Sequence, residues 1–65
     1  MRAYTVTYFM INSRGTRLGS DPIVFRFYSS SSLDTECLSF QRMLLDYGRA
    51  LGRSGSYVEI ISFEK

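Results

Sequence analysis

Along residues 2–12, "RAYTVTYFMIN", apolar and polar positions alternate: Tyr4, Val6, Tyr8 and Met10 fall on one side, Thr5 and Thr7 on the other. A period of two in a run rich in Tyr, Thr, Val, Phe and Ile predicts a β-strand. Phe9 and Ile11 then make the far half apolar on the threonine side as well, which suits a strand in the middle of its sheet. Residues 13–22, "SRGTRLGSDP", hold two Gly, two Arg, an Asp and the only Pro. That is turn chemistry. Residues 23–29, "IVFRFYS", alternate again, with Ile23, Phe25 and Phe27 on one face and Val24, Arg26 and Tyr28 on the other. The two runs predict a hairpin with a basic loop.

The period then changes. Leu33, Cys37, Phe40, Leu44, Tyr47 and Leu51 recur at alternating spacings of four and three, which places them on one face of a helix. The serines at 29–32 precede this pattern, and Asp34 and Glu36 fall in its first turn, so serine N-caps and carboxylates favoured by the helix dipole are expected at its start. Gly48 lies on the core side and marks either close approach to the sheet or an early end. Gly52, Arg53, Ser54 and Gly55 form a stop, and "YVEIISF", residues 57–63, reads as a third strand.

The order is strand, strand, helix, strand. A right-handed crossover makes the third strand parallel to the second, and placing it beside the first gives an antiparallel sheet. The expected fold is therefore α+β, a ββαβ domain spanning 1–65, with a three-stranded sheet of order 2-1-3 and one helix packed on one face. A single helix covers only one face of such a sheet. The other is expected to carry Thr5, Thr7, Phe9, Arg26 and Tyr28, joined by Tyr57, Glu59 and Phe63, as a candidate contact surface.

With 65 residues the domain is close to the size at which one core barely outweighs the entropy of ordering the chain, so its stability is either marginal or shared with a partner. Hydrophobic residues at 45% rule out a disordered chain. The single cysteine, Cys37, cannot form an internal disulfide and points to the cytoplasm. No apolar run reaches membrane-spanning length, and the start lacks a signal-peptide pattern, so no membrane association is expected. A net charge of +2 excludes a DNA mimic, which needs a dense acidic surface. Seven of the eight cations are Arg, the residue suited to planar contacts at interfaces.

With no His, and Cys37 on the expected core stripe, zinc sites, Cys-His nucleophiles and Ser-His-Asp triads are excluded, and the six carboxylates are scattered. No acid-base pair emerges. We expect a protein that is not an enzyme and needs no cofactor. "SRGTRLGS" lacks the Lys-Ser/Thr ending of a P-loop and does not lead into a helix, so Arg14 and Arg17 read as a hairpin tip able to touch phosphate or an acidic protein patch.

Two leucines, Leu38 and Leu45, lie off the core stripe at about 100° per residue, beside Arg42, Arg49 and Arg53. Either they widen the apolar face against the sheet edge or the 13–22 loop, or they anchor a protein interface rimmed by arginine. The partner-binding candidates are thus Leu38, Arg42, Leu45, Arg49 and Arg53 on the helix side, Arg14 and Arg17 in the hairpin, and Phe9, Arg26 and Tyr28 on the sheet.

In size and element order the whole chain resembles the small phage-encoded inhibitors of host machinery, anti-CRISPR proteins among them. No motif carries the resemblance, so it assigns no residue a role. It implies a non-enzymatic, protein-binding inhibitor that blocks a host protein or ribonucleoprotein complex handling nucleic acid, such as a CRISPR effector. Alternatives are a small RNA- or DNA-binding module, which would stack bases on the aromatic sheet face near arginines, and a homodimer formed through that face.

Overall fold

A computed structural model describes residues 2–30 and 36–64. Four elements follow one another: β1 (Arg2–Ile11), β2 (Arg17–Ser29), α1 (Leu38–Ala50) and β3 (Tyr57–Glu64). The three strands form an antiparallel sheet of order β2-β1-β3, with the doubly apolar strand at its centre. This is the α+β arrangement that the alternation and the single helix predict.

The covered face of the sheet is built from directly paired residues. Tyr8 lies opposite Ile23 and Ile60, Val6 opposite Phe25 and Phe63, and Tyr4 opposite Phe27. Tyr4, Val6, Tyr8, Met10 and Ile23 are buried here against Phe40 and Leu44 of α1. One end of this layer is aromatic throughout. The Tyr4 ring stacks between Phe27 at 5.5 Å and Phe63 at 5.4 Å, and Phe40 lies over both phenylalanines at 5.8 and 5.3 Å. Such offset pairs add to the burial of the rings themselves.

Phe63 corrects the expected open face. Simple alternation puts it with Tyr57 and Glu59, but the β1-β3 register shifts between Thr7 and Tyr8, where Ser62 and Ile60 are successive partners and Ile61 is left over. One extra residue inverts the facing of everything beyond it. Phe63 therefore enters the core, while Ser62 and Glu64 join the open face.

The loop expected over 13–22 is also shorter than its composition suggests. Asn12 closes the turn: its Oδ1 accepts the N–H groups of Arg14 and Thr16, each at 2.9 Å, and its carbonyl accepts that of Gly15, whose φ is +84°. β2 resumes at Arg17. Between Leu18, opposite Met10, and Ile23, opposite Tyr8, residues 19–22 bulge from the ladder, with Gly19 at φ +87°. Pro22 is tolerated there because a bulge on an edge strand asks no ladder hydrogen bond of it.

The helix begins later than expected. Cys37 is its N-cap with extended backbone (φ −69°, ψ 118°), no side chain caps it, and its first turn contains no carboxylate. Ser31, Ser32, Leu33 and Asp34 lie outside the described residues, and Glu36 precedes the helix. At the other end the helix stops at Ala50, and Gly52 turns left-handed at φ +85°. Leu51, placed by periodicity on the core stripe, is therefore carried off the sheet and is 53% exposed. Gly48 marks close approach, since a Cβ there would lie 2.5 Å from Met10 Sδ.

Because β1 is paired on both sides, its amides at residues 5–9 are expected to be the slowest in the protein to exchange with deuterium. Faster exchange there than in β3 would contradict the strand order.

Candidate partner-binding surfaces

The ten candidate residues separate into two surfaces and two isolated positions. On the first surface, the outer flank of α1 and the start of β3 enclose a groove of about 350 Å³. Leu38, Arg42, Leu45 and Arg49, spaced so that they share a helix flank, form one wall, and Ser56, Tyr57 and Val58 form the other. Leu38 is 79% exposed, whereas Leu45 is half-buried and packs on the core. Arg49 is held in place by donating from Nη2 to the Gly55 carbonyl at 3.2 Å. Asp46 and Gln41 complete the lining. The β3 wall joins this flank only through tertiary packing, so the helical period alone gives no sign of it.

The second surface is the uncovered sheet face. Arg26 and Glu64 lie on either side of Thr5, Val24 and Ser62 on either side of Thr7, and Arg17 and Tyr57 on either side of Ile11. Phe9 stands opposite Glu59, and Arg17 lies across both. Its guanidinium sits 4.7 Å from the Phe9 ring centroid and donates from Nε to Glu59 Oε1 at 2.5 Å. This pair is exposed to water, and its energetic worth is accordingly small. Tyr28 and Tyr57 are 74% and 62% exposed.

Arg53 and Arg14 join neither surface. Arg53 extends from beyond the helix end, donates from Nη1 to the Asp21 carbonyl at 2.6 Å, and so ties the 19–22 bulge to the helix. Arg14 lies at the exposed hairpin tip, where its backbone is fixed by Asn12.

Among the described residues no three of Cys, Asp and Glu gather into a group able to hold a metal ion, and no helix is long and apolar enough to cross a membrane. A strongly shifted titratable group, Tyr8, is internal. Tyr8 donates its hydroxyl to the Leu44 carbonyl at 2.6 Å, stitching the central strand to the helix. Burial pushes its pKa up to about 12, Tyr47 adds to the rise, and Arg53 opposes it. A raised folded-state pKa means that stability is intact below about pH 10 and is lost as pH climbs towards 12, where the unfolded chain ionises first. Denaturant titrations are expected to show that loss, at up to about 1.4 kcal/mol per pH unit. Tyr8→Phe should start about 1 kcal/mol less stable at neutral pH and fall less steeply above pH 10.

Compared with known proteins, the chain matches no family model, no curated protein and no solved structure.

Proposed function

We propose that the protein is a small binding protein that occupies a surface of a larger protein or ribonucleoprotein through the groove between α1 and β3. The observation that supports this most directly is Leu38, an apolar side chain 79% exposed and placed in one groove with Arg42, Arg49 and the exposed Tyr57. Apolar and aromatic anchors rimmed by arginine are the composition of protein interfaces. The complementary patch on the partner has an apolar pocket for Leu38 and carboxylates for Arg42. The ββαβ order and the size, which resemble small phage-encoded inhibitors, support extending the reading to stoichiometric inhibition of a host complex that handles nucleic acid. A second reading, binding of single-stranded RNA or DNA, is favoured by the exposed rings of Tyr28 and Tyr57 on the sheet near Arg26.

The test compares wild type with the Leu38→Ser/Arg42→Glu double variant. Both positions are exposed, so the two proteins are expected to melt alike. Immobilised in parallel in bacterial lysate, wild type should retain a defined complex that the variant loses. Retention of the same complex by both would overturn the groove as the contact. Tight, steeply salt-dependent binding of random oligonucleotides would favour the second reading instead.

A further inference from the structure

We infer that the uncovered sheet face is a self-association surface on which a second copy packs face to face, related by a two-fold axis running along β1. The observation is a charge division across that face. Its arginines, Arg17 and Arg26, both lie on β2, and its carboxylates, Glu59 and Glu64, both lie on β3. Arg17 and Glu59 already reach one another over Phe9. Arg26 and Glu64 flank Thr5 two strand spacings apart, about 10 Å, and among the described residues neither has an ion-pair partner in its own chain.

Symmetry decides between the ways of stacking two such faces. A two-fold axis across the strands lays β2 on β2 and sets arginine against arginine. An axis along β1 instead lays β2 of one copy over β3 of the other. Arg26 then stands over Glu64 of the second copy at the same level of the sheet, and the reciprocal pair forms by symmetry, as an isologous interface requires. Arg17 likewise falls beside Glu59 of the second copy, so two exposed pairs become one four-membered network. Between the charges lie Thr5, Thr7 and Phe9, which are half-buried in the single chain, with the exposed Val24 and Tyr28 at the flank. Aligned sheets pack about 10 Å apart with strands within about 30° of each other, a spacing that such side chains fill.

The result is four layers, helix, sheet, sheet, helix. Both helices face outward, so each copy keeps the helix wall of its α1/β3 groove open; Tyr57, opposite Ile11, borders both surfaces, and charge reversals at Arg26 and Glu64 leave Leu38 and Arg42 untouched, so the two are tested separately. A chain of 65 residues also gains stability from association that its own core is too small to supply.

Sedimentation equilibrium at tens of micromolar, with circular dichroism melts to confirm folding, tests the arrangement. Wild type is expected to be a dimer. Arg26→Glu and Glu64→Arg, each at an exposed position, should each weaken the dimer roughly a hundredfold, because each places like charges together twice per dimer. The double variant Arg26→Glu/Glu64→Arg should restore it, with the signs exchanged. A wild type that remains monomeric would overturn the inference. So would a dimer indifferent to the single reversals, or a folded double variant that does not recover, because either places any contact on another surface.

Discussion

Leu44→Ala is expected to cost about 2–5 kcal/mol, enough to leave much of the protein unfolded at 37 °C. Leu44 is fully buried at the middle of α1, one turn from Phe40, and shares its cluster with Val6, Tyr8 and Met10 of the central strand. Truncation removes the transfer energy of the side chain and leaves a cavity that this rigid, ring-rich layer cannot close. A domain of 65 residues is stable by roughly 3–10 kcal/mol in total, at about 0.05–0.15 kcal/mol per residue, so the loss is a large fraction of what there is. Leu38→Ala on the same helix, where the side chain is 79% exposed, should change stability by no more than about 0.5 kcal/mol. Urea titrations of the two variants check the contrast. Equal melting of Leu44→Ala and wild type would mean that the helix does not face the sheet through this residue.

The place of Leu44 in the core was legible in the sequence because the helical period is strong between Phe40 and Tyr47, whereas the same period left Leu38 open between core and surface. The strands were legible for the same reason: side chains that alternate in a two-sided environment write their facing into the order of residues. Three features escaped, and the first two depend on partners distant in sequence. Residues 17–22 have turn composition, yet belong to β2: Arg17 and Leu18 pair with β1, Arg17 reaches over Phe9 to Glu59, and Arg53 holds the Asp21 carbonyl of the 19–22 bulge. The bulge at Ile61 has no local signature, since Ile60 and Ile61 are equally suited to a strand, and only the register against β1 decides which one is left over. Leu51 continues the helical period, but backbone geometry at Gly52 ends the helix before the period does.

The candidate surfaces were legible to the same extent. Leu38, Arg42, Leu45 and Arg49 share a flank by spacing alone, and the structure brings all four into one groove. What spacing does not carry is burial. It separates Leu38, which is free to meet a partner, from Leu45, which packs on the core. Nor does it carry engagement, which ties Arg17, Arg49 and Arg53 to groups of their own chain.

Gly48→Val is expected to destabilise the domain by about 1–3 kcal/mol or more, and Met10→Ala in the same chain to offset part of that loss. A Cβ at 48 would lie 2.5 Å from Met10 Sδ and 3.0 Å from its Cε. Methionine usually yields to such intrusions, because its chain is flexible. Here it has nowhere to go: Met10 is fully buried, and on another side Gly55 approaches so closely that a Cβ there would meet Met10 Cβ at 3.0 Å. Two glycines thus form the slot in which one side chain lies. Replacing glycine in a helix ordinarily gains several tenths of a kcal/mol, or up to about 1 with alanine, but overpacking costs about 1–3 kcal/mol and more where nothing can shift. The steric term wins. Met10→Ala alone should cost about 2–5 kcal/mol through its cavity, yet in the double variant the valine enters that cavity. The loss in the double variant should therefore fall short of the sum of the two single losses by at least about 1 kcal/mol in a double-mutant cycle measured by urea denaturation. Additive losses would show that Gly48 is required for some reason other than the space that Met10 fills.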